Sequence, residues 1–459
     1  MSIETRNTRG MWRRGWLRLV AICALLAVAI GCLVDHCARP SEADAVGPAD
    51  QYPAIEAASL RGRVLRVEWA GTDLSDSTDL LQGAIDSGAD TVVVPYRHEP
   101  WIVRPIRLRT CLQLTLEPGV VLLAKKGEFQ SVQDSLLYAD DMCCIKISAY
   151  GATLRMHKSD YQATPYAPSE WRHGVRLLGA ADVEISGLRV ENTGGDGIYV
   201  GPTNDKHRIP CRRIYIEDCT LAGNHRQGIS ITSAVGVRVK NCLFTGTKGT
   251  APQAGLDVEP GSPYDLIQDI QVENCTADSN VGSGFLVILD RLSRKSEDVS
   301  VRFSRCHVRR SVQPGLRAVL PRDQGARGLV EFVDCTVETT QLPGATVIWD
   351  MRSKVDLRFK NCTWSNVGQR AGHAPLYLEL VGGEPGESEC AVCFENARLF
   401  DHRGRDPLVL NCQDGASFPN VCGSIECFGG RVDVMGLPQL PSLRVHHGTL
   451  QPAASGEAP

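Results

Sequence analysis

The chain has 459 residues, of which 43% are hydrophobic, 6% aromatic and 22% charged, with a formal net charge of −4 and an isoelectric point near 6.3. The apolar content excludes a chain too polar to form a core, and the absence of a basic field argues against a nucleic-acid partner. The length suits two or three average domains or one long solenoid, and 44 glycines imply many turns.

In chain order, the first feature is a targeting segment. Arg6, Arg9, Arg13, Arg14 and Arg18 precede an apolar run from Leu19 to Val34. That run is short for a membrane span of about 20 residues and near the upper length of a signal core. Ala43-Asp44-Ala45 fits a cleavage site but lies far from the apolar run, so residues 1–45 read as a signal peptide or an uncleaved membrane anchor; Cys32 fits a lipobox poorly. Residues 46–60 read as a linker. Next, Ser77 to Gly88 reads as a capping helix, with Ser77 as N-cap, Asp79 in the first turn and Gly88 as terminator. Such a cap would shield an edge strand from pairing with other chains. Early strands follow at residues 91–94, 102–108, 112–116 and 120–124.

From the middle of the chain onward one motif repeats. Short alternating strands end in a polar turn residue and then Cys219, Cys242, Cys275, Cys306, Cys335 and Cys362, at intervals of 23, 33, 31, 29 and 27 residues. Two further copies carry Leu188 and Ala397 at the Cys position. Both substitutes are core residues, so the cysteines are expected to point inward as a ladder of reduced thiols packed as small hydrophobes. Stacked side chains in adjacent coils point the same way, which disfavours bridging despite a suitable spacing. Disulfides are left open for Cys143, Cys144, Cys390, Cys393, Cys422 and Cys427. A second strand opens on Gly197, Gly228, Gly255, Gly284, Gly315 and Gly344 and alternates apolar with variable residues.

These coil lengths define an all-β fold: a single-stranded parallel β-helix solenoid of right-handed type with a short N-terminal capping helix. A leucine-rich repeat lacks its Leu-x-x-Leu-x-Leu pattern here, and the hairpin turns of a sandwich are missing. The expected boundaries are 61–427 for the β-helix and 428–459 for a C-terminal extension, with a disordered tail from Gln451.

Aligning the coils on their glycines collects scattered motifs on one face. His173 falls over Asp196, Gln227 and Ala254, and Arg172 falls over Gly195, Arg226 and Gln253. Outward strand positions run Arg176, Tyr199, Ser230, Asp257, Leu286 and Arg317, with Glu259 beside Asp257. Asp196, Arg226, Asp257, Glu259 and His225 are the candidate catalytic residues. Arg172, His173, Tyr199, Gln227 and Arg317 are the candidate substrate-binding residues.

Three chemistries fit this set. Asp196 and Asp257, two coils and so roughly 9–10 Å apart, suit the acid and base of an inverting glycosidase. Arg226 or Arg172 could neutralise a uronate carboxylate while His225, His173 or Tyr199 moves a proton, as elimination or epimerisation requires. Calcium could be held by Asp196, Asp257 and Glu259 as oxygen ligands, although no cofactor is required by the pattern. Simpler readings stand beside these: Asp196 as a turn residue, Arg226 as a salt-bridge partner of Asp257 or Glu259, and the histidines as structural groups. Lys125, Lys126, His157, Lys158, Lys206 and His207 read as loop charge.

The opening Asp79-Leu-Leu-Gln-Gly-Ala-Ile-Asp86, then Val93-Val-Pro95 and Leu112-Gln-Leu-Thr-Leu-Glu-Pro-Gly-Val120, resembles the start of polygalacturonase-like chains. The blocks Glu170-Trp-Arg-His-Gly174, Gly194-Gly-Asp-Gly-Ile198 and Asn224-His-Arg-Gln-Gly228, with the run Gly249 to Pro260, resemble bacterial right-handed β-helix proteins. Over roughly residues 60 to 400 the chain is similar to the pectin-lyase-like superfamily of carbohydrate-active β-helices. The N-terminal segment implies an exported protein, periplasmic, extracellular or anchored at the cell envelope, and the resemblance implies action on a polysaccharide or oligosaccharide; a monomer is expected. Membrane contact would come only through the N-terminal segment. Hydrolysis, lyase action and epimerisation all remain open, as does a non-catalytic carbohydrate-binding or structural solenoid. Asn192-Thr193-Gly194 departs at its third residue from the Asn-Thr-Asp of polygalacturonases, which puts ordinary pectin hydrolysis in doubt.

Overall fold

The computed structural model describes residues 62–68, 74–321, 326–350, 352–381, 391–412, 420–429 and 442–448. The targeting segment and linker of residues 1–60, Cys390 and the tail from Gln451 lie outside the described residues.

The described chain winds as a parallel β-solenoid. One sheet has 11 strands and a second has 24, and every strand pairs in parallel with its counterpart a coil away. A typical coil runs Ile198–Gly201, Cys211–Glu217 and Thr220–Ala222, and the next repeats it as Ile229–Ile231, Ala234–Lys240 and Leu243–Thr245. Inward residues alternate with outward ones, so each strand contributes to one continuous core.

The Cys-ended motif has a specific backbone cause. The turn residues Asp218, Asn241, Asn274, Arg305, Asp334, Asn361 and Asn396 all have φ between 51° and 55°. Asn and Asp tolerate this left-handed conformation better than most residues. It breaks the alternation between the two strands and turns the next side chain, the Cys, into the core. The six ladder cysteines are buried and free. Each thiol donates to a carbonyl two residues back, as Cys219 does to Glu217 at 3.2 Å. Leu188 and Ala397 take the same buried place. Outside the core the turn amides form their own ladder: Asn241 donates to Asp218 (3.0 Å), Asn274 to Asn241 (2.7 Å) and Asn361 to Asp334 (2.8 Å).

Glycine opens the strands of the smaller sheet for a steric reason. A Cβ on Gly228 would stand 2.3 Å from the Gly255 carbonyl oxygen, and one on Gly197 would stand 2.6 Å from that of Gly228. Each coil fits on the next only without a side chain there.

The capping helix spans Thr78–Asp86 and buries Leu81, Ala84 and Ile85. Its N-cap differs from expectation. Ser77 makes no capping bond; its hydroxyl accepts from Arg97 at 3.1 Å. Asp76 takes the task, its carboxylate accepting from the Thr78 backbone N–H at 3.0 Å. At the other end the sheet runs past residue 427, because Leu443–His447 pairs with Val421–Phe428. Cys393 and Cys422, partners in adjacent coils, form a disulfide with Cα atoms 4.6 Å apart. Adjacent-coil bridging, disfavoured on direction alone, therefore occurs at an outward-facing pair.

Candidate functional site

The register of the 11-stranded sheet orders its outer face. Through successive coils, Arg176 pairs with Tyr199, Tyr199 with Ser230, Ser230 with Asp257, Asp257 with Leu286, and Leu286 with Arg317. This is the order read from the glycine alignment. The loops entering these strands add Glu170, His173, Asp196, Arg226 and Gln227.

Arg226 is the hub. Its backbone N–H is fixed on the Gly195 carbonyl at 3.1 Å. Its guanidinium donates to Glu259 at 3.0 Å and to the Ser230 hydroxyl at 3.3 Å, and stands 3.7 Å from both Asp196 and Glu170. Burial opposes its charge, but Asp196, Asp257, Glu259 and Glu170 together outweigh that and keep it protonated.

The carboxyls divide into two kinds. Glu170 and Glu259 keep 30% and 32% of their side chains exposed, whereas Asp196 and Asp257 have no exposed surface. Burial pushes Asp196 up to about 7, with Arg226 pulling the other way. Burial and then the Glu259 charge push Asp257 well above the carboxylate range. Gln227 holds Asp257: its amide N–H donates to the carboxyl at 2.9 Å, while its own oxygen accepts from the Ala254 N–H at 2.7 Å. Among the described residues, neither Asp196 oxygen nor the second oxygen of Asp257 has a hydrogen-bond partner. Two such groups resist ionisation because a buried charge without donors is unfavourable.

His173 supports Asp196 from below. Its Nδ1 accepts the Asp196 backbone N–H at 3.0 Å and lies 3.4 Å from the carboxyl. Burial, Arg226 and Arg176 depress its pKa, so the ring is neutral and the contact is not an ion pair. The ring stacks on Tyr199 at 4.9 Å. Tyr199 is bound in turn to the Thr232 hydroxyl at 2.9 Å, and burial raises its pKa.

Arg317 lies farther along the face. Its guanidinium makes no hydrogen bond or ion pair among the described residues, and its Nε is buried without an acceptor. Burial lowers its pKa against the attraction of Asp257, Glu379 and Glu259.

Two candidates stand apart. Arg172 turns away from Arg226 and donates to the carbonyls of Phe129 (2.9 Å) and Ala167 (3.1 Å), over the rings of Tyr161 and Tyr166. It anchors a loop and does not line the face. His225 binds the Thr250 hydroxyl at 2.8 Å, and burial and Lys158 lower its pKa. Local loop contacts draw both away: the Tyr161 and Tyr166 loop holds Arg172, and Thr250 holds His225. Lys158 is occupied by the Gly223 carbonyl at 2.7 Å. Glu170 was missed as a site residue because its loop has no counterpart in the glycine alignment; Ser230 and Glu379 lie in outward columns that the alignment does expose. Calcium ligation by Asp196, Asp257 and Glu259 is not supported. Among the described residues no three His, Cys, Asp or Glu side chains are arranged to hold a metal, and a guanidinium occupies the centre of these carboxyls.

A family model described as "Right handed beta helix region" matches residues 169–319, the coils that carry this site. The sequence is 37% identical over 97 residues to the uncharacterized protein YclG of Bacillus subtilis, covering 20% of this chain and 16% of that one. It is 21% identical over 197 residues to the prophage-derived uncharacterized protein YorA of the same organism, covering 40% and 34%. The chain therefore spans well under half the length of these relatives. Among solved structures, the A-module of the Azotobacter vinelandii mannuronan C-5 epimerase AlgE4 superposes with a TM-score of 0.59 at 14% identity, over 84% of this chain and all of that module. A family 28 exopolygalacturonase of Yersinia enterocolitica gives 0.53 at 14% identity, over 84% and 76%. An endo-xylogalacturonan hydrolase of Aspergillus tubingensis gives 0.51 at 12%, over 84% and 99%. The protein is a right-handed parallel β-helix with the pectin-lyase-like fold.

Proposed function

We propose that this chain is an exported, monomeric carbohydrate-active enzyme that hydrolyses a glycosidic bond of an acidic polysaccharide on the outer face of its middle coils. The observation that carries the reading is the pairing, on one guanidinium, of a buried carboxyl that still holds its proton in mildly acidic solution with a partly exposed carboxyl. Asp196 supplies the acid. Glu259, fixed by Arg226, supplies the base that activates water. Two carboxyls flanking one guanidinium at 3.7 and 3.0 Å can be no more than about 9 Å apart, a limit compatible with the spacing of an inverting pair. Glu259 fits the base role better than Asp257, because burial and the Glu259 charge both oppose ionisation of Asp257. Elimination and epimerisation fit less well. His225 faces elsewhere, Tyr199 is hydrogen-bonded, and Arg226 is already surrounded by carboxyls.

The relatives by fold named for polysaccharide hydrolysis and epimerisation support a polysaccharide substrate, and Arg317, without an ion pair among the described residues, supports an acidic one. A second reading, a non-catalytic carbohydrate-binding solenoid, is favoured by the full burial of Asp196 and Asp257. Incubation of the chain with uronate polymers tests both. Hydrolysis releases reducing ends with inverted anomeric configuration and no ultraviolet-absorbing unsaturated product, and Asp196→Asn lowers the rate by about 100-fold or more. Binding without product would establish the second reading.

A further inference from the structure

Cys111, Cys143 and Cys144 form a thiol cluster in the early coils, away from the carboxyl site. Leu112–Leu116 pairs in parallel with Cys143–Ser148, Leu112 opposite Ile145, so Cys111 stands opposite Cys144. The Cys111 N–H donates to the Cys143 carbonyl at 2.9 Å. Both Cys111 and Cys144 adopt the left-handed conformation, with φ of 55° and 57°. The same column continues with Asp182 (φ 56°) and Arg213 (φ 52°), and there the side chains of adjacent coils meet: Arg213 holds the Asp182 carboxylate with two bonds of 2.5 and 2.7 Å. Parallel strands lie about 4.8 Å apart, inside the 4.4–6.8 Å between Cα atoms that a disulfide spans. Elsewhere on this solenoid the register partners Cys393 and Cys422 are bridged at 4.6 Å. Unlike the ladder thiols, Cys111, Cys143 and Cys144 are only half-buried, so an oxidant can reach them. Burial and the neighbouring Cys143 and Cys111 thiols raise the Cys144 pKa to about 12, which fits three thiols in mutual contact.

From this geometry we propose that Cys111 and Cys144, both free thiols in the structure, are an oxidation site that closes into a second inter-coil disulfide. It would staple the first coils beside the capping helix. The reaction is thiol–disulfide exchange with a low-molecular-weight disulfide. One thiolate attacks the oxidant and releases one thiol; the second protein thiolate attacks the mixed disulfide and releases the other. Two protein thiols are oxidised, the oxidant is reduced to two thiols, and the two protons leave with them. Cys143 remains reduced.

The folded full-length chain, incubated with oxidised glutathione, quenched by alkylation and digested with trypsin without reduction, tests this. Cleavage after Arg109, Lys125, Lys126 and Lys146 separates Thr110–Lys125 from Gly127–Lys146. The expected product is these two peptides joined, two hydrogens lighter than their sum, with one alkylated Cys in the second. The joined peptides still form in Cys143→Ser, now without an alkylated Cys, and disappear in Cys144→Ser. The oxidised wild-type chain unfolds at a higher temperature than the untreated chain, in which Cys393–Cys422 is already bridged, and the difference vanishes in Cys111→Ser. An alkylated Cys111 after oxidation, a Cys143–Cys144 bond, or a crosslink lost in Cys143→Ser would overturn the assignment.

Discussion

At the level of single residues the site is governed by burial more than by charge. Asp196 ionises near 7 rather than 3.8 because it is shut from water and lacks donors. The linkage follows. Between about pH 4 and 7 the unfolded chain has released this proton and the folded chain still holds it, so stability falls as pH rises through that window. Above pH 7 both states are ionised and the full penalty, about 4 kcal/mol at most, is present. Asp196→Asn removes the penalty. Urea titrations at pH 5 and pH 8 should show the variant gaining on the wild type at the higher pH, whereas equal differences at both would mean that Asp196 is ionised throughout. Catalysis runs the same way, since only the protonated acid is competent: the rate should decline above about pH 7. None of this was readable from sequence. Asp196 between two glycines looks like an exposed turn residue, and only the stacked coils show how deeply it is enclosed.

At the level of the coil, the sequence was far more legible. The Cys intervals gave the register that the strands adopt, because three constraints repeat each turn: a left-handed residue, an inward thiol and a glycine where two backbones meet. Each can be tested alone. Gly228→Ala puts a methyl against the Gly255 carbonyl and should destabilise by about 1–3 kcal/mol, read as a lower denaturation midpoint. The ladder cysteines should resist alkylation in the folded chain and react once it is unfolded, and a native-state reaction at Cys275 would contradict their burial. What the repeat left unread was the direction of loop residues. Alignment placed Arg172 and Arg226 in one column, but Arg172 is drawn beneath Tyr161 and Tyr166 by a loop peculiar to its coil. Periodicity describes only what recurs, so side chains on single insertions, Glu170 included, escape it.

For the whole molecule the solenoid acts as a ruler. Equivalent positions recur about every 4.8 Å along its axis, close to the spacing of sugars in an extended polymer, so successive coils can address successive residues of one chain. Arg226 is saturated by four carboxyls and has little attraction left for a substrate anion. Arg317, two coils beyond Asp257 on the same face, makes no hydrogen bond or ion pair among the described residues. A substrate carried with its reducing or non-reducing end past Arg226 would bring an anionic group to Arg317 roughly three sugars away. A charge-assisted fork contact contributes about 1.5–3 kcal/mol, so Arg317→Ala should raise KM for a uronate polymer by about 10-fold or more with kcat little changed. A neutral polymer of similar backbone should be handled equally by both proteins. The difference should shrink with added salt, since the partly exposed contact is screened. If Arg317→Ala instead lowered kcat for both polymers alike, Arg317 would be supporting the Asp257–Glu259 pair rather than reading the substrate's charge.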